Sequence, residues 1–365
     1  MTGIRKLLIC VLAIIVLGWA PQSYAQFEIE YPNGKLAIEG RIRAAFVKRF
    51  YFDNEDKFED DRFYIHQARM EITGEMYEHY EYEAEIEIRA HDGKLEAKDL
   101  RISYEPRTEF SLTVGQFKVP YSRDKLIPVY LQSTIKRPDL THTFVPGRDR
   151  GIMLRLRTMD LKYVLYAGVF SGNGGNKKEN DDKGKFLYAA RLEMAPLGPI
   201  DKEEGDYMLT PELRFLAGAN IAFSDDNGPP EEDAEYLRTI LGKKTIYGGD
   251  VSFKYRGLFL AAEFNHAQFK PDSGAEYKAG GFLLHAGYFI RSLSLEPVIE
   301  YDEFNPTDLI EDVTQRSIVF GLNYLPFEHD IKLMANYYYR LKSDSDNENP
   351  WKENEIRVLM QVMIR

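Results

Sequence analysis

From residue 36 to the end of the chain, apolar and polar side chains alternate at a period of two. Leu36, Ile38, Ile42 and Phe46 share one face, with Glu39, Arg41 and Arg43 on the other. Ala68, Met70, Ile72 and Met76 oppose Gln67, Arg69, Glu71, Thr73 and Glu75. In YEYEAEIEIRA (80–90), Glu81, Glu83, Glu85 and Glu87 alternate with Tyr82, Ala84, Ile86 and Ile88. Leu100, Ile102 and Tyr104 then oppose Asp99, Arg101 and Ser103. This period belongs to strands whose two faces meet different surroundings. Further segments of the kind, near 109–117, 151–158, 161–170, 186–194, 211–223, 245–256, 258–269, 279–290, 293–304, 315–325, 330–341 and 355–365, bring the expected total to about sixteen strands. Helical periodicity appears nowhere for long.

The connectors alternate as well. Long polar ones such as 53–61, 171–185, 224–244, 305–314 and 343–354 are interleaved with short ones such as YEHY, EPRTE, TMD, YRG and RS. The stretch APLGPIDKEEGDYM (195–208) is long where a short turn is due. Long loops at one end and short turns at the other predict an all-β fold, a transmembrane antiparallel β-barrel. A soluble up-and-down barrel of that strand number would leave its interior unfilled, and no fixed repeat of a propeller or β-helix occurs.

Closure in lipid assigns the faces. A charged side chain on the lipid face near the midplane costs about 2–4 kcal/mol for a base and less for an acid. The carboxylate row therefore points into the lumen, and Arg41, Arg43, Arg69, Glu81, Glu83, Glu85, Glu87 and Arg101 are expected to line its wall. Four acids in a row require bases nearby. With 91–96 as a hairpin loop, Arg101 falls opposite Glu87 and Asp99 opposite Arg89, with Arg69 also near Glu87. Outward aromatics are expected in two belts. Tyr80, Tyr104, Phe110, Tyr255 and Tyr324 lie beside the short turns, and Tyr64, Tyr188, Tyr247, Tyr337 and Tyr339 near the long loops.

The first 25 residues carry Arg5 and Lys6, an apolar run from Leu7 to Ala20 and small residues at Ser23 and Ala25. That is the pattern of a secretory signal, with cleavage before Gln26 and the barrel in 26–365. Loss of Arg5 and Lys6 takes the formal charge from −11 to −13, which argues against a nucleic-acid partner. The single cysteine, Cys10, falls inside this leader, so the remaining chain has no thiol chemistry. No cofactor or metal site is expected, and the nearest approach to a calcium loop, at 53–61, has Phe58 where a glycine is needed. The scattered histidines have no serine or acid partner in a recognisable motif, so catalysis is not expected.

The connector from 118 to 149 differs in kind. It holds four prolines between Val119 and Gly147, and apolar Leu126, Ile127, Val129, Tyr130 and Leu131, which need a surface to pack on. Inside a barrel that surface is the inner wall, so the loop is expected to fold inward and narrow the channel. It is also basic, with Lys118, Arg123, Lys125, Lys136, Arg137 and Arg148 as candidate constriction and anion-binding residues. Basic linings favour anions. Alternatives are a non-selective or cation-preferring channel and a surface-binding barrel.

Three stretches, VGQFKVPYSRD (114–124), GRDRGIML (147–154) and YAGVFSGNGGN (166–176), are similar to the phosphate-selective porin O and P family. The resemblance implies a trimeric bacterial outer-membrane porin of sixteen strands whose third extracellular loop folds into the pore. It further implies small anions such as phosphate as permeants, and lipid and lipopolysaccharide as surroundings. The last residues, RVLMQVMIR, depart from the aromatic ending common in such barrels, while Ile356, Val358, Met360, Val362 and Ile364 keep the alternation of a final strand.

Overall fold

In the computed structural model the alternating segments close into one antiparallel ring. The structure describes residues 27–52, 57–89, 93–177, 184–226, 241–311, 313–342 and 351–364. The expected leader at 1–25 lies outside them, as do parts of the polar loops.

A short strand β1 (Phe27–Tyr31) precedes β2 (Gly34–Phe52), β3 (Lys57–Met76), β4 (Tyr80–Ile88), β5 (Leu95–Arg107) and β6 (Phe110–Lys118). After the long connector come β7 (Arg148–Arg157), β8 (Tyr163–Phe170), β9 (Leu187–Met194), β10 (Arg214–Asp226), β11 (Gly242–Tyr255) and β12 (Leu258–Pro271). The chain ends with β13 (Tyr277–Tyr288), β14 (Leu295–Asn305), β15 (Gln315–Phe327), β16 (Ile331–Lys342) and β17 (Trp351–Ile364). Each strand from β2 onward pairs with the next, and β17 returns to β2, so sixteen strands form a closed barrel. Closure satisfies the backbone without leaving an edge, which a sheet in lipid requires.

The strand β1 is an addition that the alternation did not predict. It pairs with the first part of β2, Phe27 opposite Ile38 and Tyr31 opposite Gly34. The last strand ends on the same flank of β2, with Ile364 opposite Gly40. β1 and β17 thus share one lane along β2 and together cover its length.

Parity follows the sequence closely. Ile42, Ile88, Leu100, Ile102, Phe264, Phe320 and Ile364 are exposed on the outside, while Arg41, Arg43, Glu85, Asp99 and Arg357 are buried within. Tyr80, Tyr104, Tyr255 and Tyr324 face outward at one end, and Tyr188, Tyr247 and Tyr337 toward the other.

Two details differ from expectation. Arg101 stands opposite Glu83, and Glu87 faces Glu96. The cause is that β5 begins at Leu95, inside the expected loop, and a bulge between Ala84 and Ile86 shifts the pairing. Tyr64 does not join the outer belt. A bulge places both Gln67 and Ile65 opposite the consecutive pair Arg43 and Ala44, leaving His66 extra, so parity reverses along β3 and Tyr64 turns inward. There it packs with Ala45, Met334, Leu359 and Ile135.

Candidate functional site

The connector between β6 and β7, after the fifth strand of the ring, enters the lumen and crosses it. Its root is built by the three sequence stretches singled out above. Gln116 Nε2 donates to Ala97 O and Lys98 O, each at 2.9 Å, and its Oε1 accepts from Asn176 N at 2.6 Å. Asp149 accepts from Arg150 N at 2.7 Å and from Gly172 N at 2.8 Å. Phe117 meets Phe170 edge to face, with centroids 5.5 Å apart. Gln116, Asp149 and the Gly-Asn segment 172–176 therefore clamp the ends of β6, β7 and β8 together.

Beyond the root the loop follows the inner wall. Val119, Tyr121, Leu140, Phe144 and Val145 pack on inward apolar residues of β9–β14, among them Leu187, Ala222, Ile246, Phe269, Leu283 and Phe304. Gly248 leaves room for this approach, because a Cβ there would stand 3.2 Å from the Tyr121 hydroxyl and closer still to Asn265. Asp124 N donates to Glu263 at 3.2 Å, and Asn323 Nδ2 donates to Ser133 O at 2.8 Å. Ile135 N donates to Asn336 Oδ1 at 2.7 Å, and Lys136 N to the Tyr338 hydroxyl at 3.1 Å. Lys332 donates to Gln132 O. The loop is thus held by side chains of β12, β15 and β16 that match its exposed backbone groups. Polar inward positions such as Asn323, Asn336 and Tyr338 carried no sequence signal for this role.

The coverage has an electrostatic result. Glu263, Glu296, Glu300 and Asp302, inward acids of β12 and β14, are all buried. The half-wall of β2–β7 keeps more accessible charges, organised around the glutamate row. Glu85 accepts from Arg41, from Arg69 at 2.9 Å and from Arg148 at 3.0 Å. Glu87 pairs with Arg69 at 2.7 Å, and Glu83 with Arg101 at 2.5 Å. In several of these pairs the base is the more exposed partner: side-chain exposure is 37% for Arg101 against 16% for Glu83, and 20% for Arg148 against 5% for Glu85.

Of the six candidate bases, Lys118 ends β6 and Arg148 opens β7, paired across the ladder because both strands run farther than the expected loop bounds, and the other four lie in the loop between. Lys118 Nζ donates to Leu126 O at 3.0 Å and Ile127 O at 3.2 Å. Arg137 donates to Asp124 and to Ile127 O, so it fixes the loop's own bend. Arg148 bridges Asp99, at 2.5 Å, and Glu85. Lys118 and Arg137 thus share Ile127 O, and Arg148 shares the Glu85 carboxylate with wall residue Arg69. Arg43 is fully buried on β2, where its guanidinium meets Met334 Sδ at 4.0 Å and, among the described residues, no carboxylate accepts from it. Lys136 lies farther along, near Arg340, Arg357 and Glu355. Burial, then Arg340 and Arg357, lower its pKa to about 8. Arg123 reaches the other way, over the Phe259 ring at 5.0 Å and to Glu203 O at 3.2 Å. Lys125 is partly exposed, its backbone N–H donating to Ser122 Oγ at 3.1 Å. Tyr130, with Arg41 stacked over its ring at 4.2 Å, brings the loop to the opposite wall.

The connector between β9 and β10 also reaches the lumen. Glu204, Asp206 and Tyr207 are buried, and Glu204 touches the inward loop. Its anomalous length was the sequence signal, together with Gly205, whose φ is +87° and whose added Cβ would fall 2.5 Å from Glu296 Oε1.

Known proteins place this architecture. The family model for phosphate-selective porin O and P matches residues 36–364. An uncharacterised protein of Aquifex aeolicus (strain VF5) is 24% identical, over 88% of this chain and 85% of its own. Among solved structures, the anion-selective porin from Comamonas acidovorans aligns with a TM-score of 0.65 at 11% identity, covering 90% of this chain and 99% of that one. The outer-membrane channel DcaP of Acinetobacter baumannii gives 0.60 at 12% identity, covering 92% and 98%. The trimer form of OmpT from Vibrio cholerae gives 0.56 at 11% identity, covering 91% and 99%. At these identities the structures share the fold.

Proposed function

The chain belongs to the phosphate-selective porin O and P family, and from that premise we propose that this outer-membrane porin admits small hydrophilic solutes with a preference for anions, phosphate among them. The observation that carries the reading is the gathering of bases at the root of the inward loop: Lys118 and Arg148 face each other across the β6–β7 ladder, Arg137 shares Ile127 O with Lys118, and Arg69 of the wall shares the Glu85 carboxylate with Arg148. Low-dielectric walls focus the field of such groups at a narrow point, so they outweigh charges spread over wide vestibules. The burial of Glu263, Glu296, Glu300 and Asp302 behind the loop acts in the same direction, since it withdraws acids from the path. Arg101 and Arg148, each more exposed than the carboxylate it pairs with, are the bases best placed to meet an anion in transit. Lys136 marks the approach from the long-loop side, and Arg123 and Lys125 extend the basic lining of the loop.

The leader at 1–25 directs export in this reading, the long loops face the exterior among lipopolysaccharide, and the barrel works as a homotrimer. Electrophoresis without and with heating tests the assembly, and N-terminal sequencing tests cleavage before Gln26.

A second reading rests on a cavity of about 320 Å³ at the short-turn end, lined by Glu28, Glu39, Glu75, Glu81 and Glu83 with Lys35 and Arg101. An acidic exit of this kind would collect cations and offset the loop. Planar-bilayer recordings on Arg148→Gln and Lys136→Gln separate the two. The anion reading expects each to lower the anion-to-cation permeability ratio, and Arg148→Gln to weaken the block of chloride current by added phosphate. Ratios unchanged in both, with a cation-preferring parent, would favour the acidic exit.

A further inference from the structure

The connector Ala195–Leu213 stands where every neighbouring junction is a tight turn. It is an ordered structure, not slack chain. Asp206 Oδ1 accepts from Thr210 N at 3.0 Å, and its Oδ2 accepts from Gly257 N, in the β11–β12 turn, at 2.7 Å. Tyr207 packs in a small core with Phe289, Leu325 and Leu209, its hydroxyl donating to Glu296 at 2.8 Å. Glu203 sits between Lys254, at 3.3 Å, and His329, at 3.0 Å.

The tip of this connector meets the middle of the inward loop. Glu204 N donates to Leu131 O at 3.0 Å, and Glu204 Oε2 accepts from Ser133 N at 2.7 Å. One residue thus satisfies two backbone groups of the loop, on either side of Gln132. Arg123, from the loop's first turn, adds the bond to Glu203 O at 3.2 Å. These contacts fall next to Glu296, which accepts from Tyr207, from Asn323 at 2.9 Å and from Ser133 Oγ at 3.4 Å. A loop of this length with apolar and polar faces has several ways to lie on a wall, and pairing it from below selects one.

We propose that the β9–β10 connector is a second constriction element, folded in from the short-turn end, and that Glu204 is the positioning residue by which it locks the inward loop against the acidic half-wall. Glu204 acts through the loop and is not itself a contact of the permeating ion. Its backbone bond and its carboxylate bond fix Leu131 and Ser133, and these in turn keep Glu296 and Glu300 covered. The connector therefore sets both the width of the lumen and which wall charges a solute meets. The proposal uses the porin reading and is independent of the sign of the selectivity.

The test is single-channel recording with reversal potentials in a salt gradient, on Glu204→Ala, Glu204→Gln and a chain in which 199–208 is replaced by an Asn-Gly turn. Glu204→Gln keeps an acceptor for Ser133 N and is expected to behave as the parent. Glu204→Ala and the shortened connector are expected to raise conductance, increase open-channel current noise and shift the reversal potential toward cations, as the acids behind the loop become accessible. Heat-modifiable mobility on gels establishes that each barrel is closed. If Glu204→Ala does not fold, the shortened chain carries the test alone, because its strands are intact. Parental conductance and reversal potential in the folded shortened chain would overturn the proposal, and so would equal effects of Glu204→Gln and Glu204→Ala.

Discussion

Arg69 Nη1 lies 2.9 Å from each carboxylate oxygen of Glu85, across the β3–β4 ladder. Arg41 and Arg148 converge on the same carboxylate. A row of four glutamates on one strand is stable because the neighbouring strands and the root of the loop supply a guanidinium to most of them. Removing the shared anion leaves three cations without a common partner. Truncating one member of a buried charge pair costs about 3–5 kcal/mol, so Glu85→Ala is expected to lose stability on that scale. Glu81→Ala, on the same face but exposed and with no ion pair among the described residues, is expected to change stability little. Urea titrations of folding into lipid vesicles measure both.

Parity between lipid and lumen predicts the opposite sensitivity on the other face. Ile102 is exposed near the middle of β5. Ile102→Arg is expected to cost about 2–4 kcal/mol in a bilayer and distinctly less in detergent micelles. The same titration in the two media reads the difference. Equal loss in both would place Ile102 away from lipid.

The root of the loop offers a third test. Gln116 joins β5, β6 and the 172–176 segment through four hydrogen bonds. Gln116→Ala is expected to leave the barrel folded and to loosen the loop, seen as added current noise and faster proteolysis within 119–147. Unchanged noise and protease resistance would mean that apolar packing alone, through Phe117 and Phe170, holds the root.

Lys136 predicts a pH dependence. With its pKa near 8, its ammonium is charged below that pH and neutral above it. Permeability for anions relative to cations is expected to fall between pH 7 and 9, and Lys136→Gln to flatten that part of the profile. The sign for stability is the reverse. Between about 8 and the ordinary lysine value of 10.5 the unfolded chain binds more protons than the folded one at this site, so its contribution to stability rises with pH across that window.

Much of this was legible in the sequence, for identifiable reasons. A closed sheet between lipid and water enforces period two, so the inward set Arg41, Arg43, Arg69, Glu81–Glu87 and Arg101 and the number of ring strands could be read from alternation. Register could not, because the bulge at Ala84/Ile86 displaces pairing without disturbing composition. The bulge at Arg43/Ala44 likewise turned Tyr64 from an outer-belt candidate into a ligand of Arg357 inside the barrel. The inward loop announced itself by length, prolines and apolar content. Its internal bonds did not, since Arg137 meeting Asp124 depends on the bend between them. The β9–β10 connector was visible only as an irregular length, with Gly198 and Gly205 at positions of positive φ.

The central claim is that bases at the edge of the inward loop govern passage in a chain of net negative charge. Charges on outer tips in bulk water are screened beyond about 8–10 Å at physiological salt, so they should contribute little. The reversal potential of the unmodified porin in a potassium chloride gradient tests this most directly. A value on the chloride side is the predicted result, and a value on the potassium side would contradict the account.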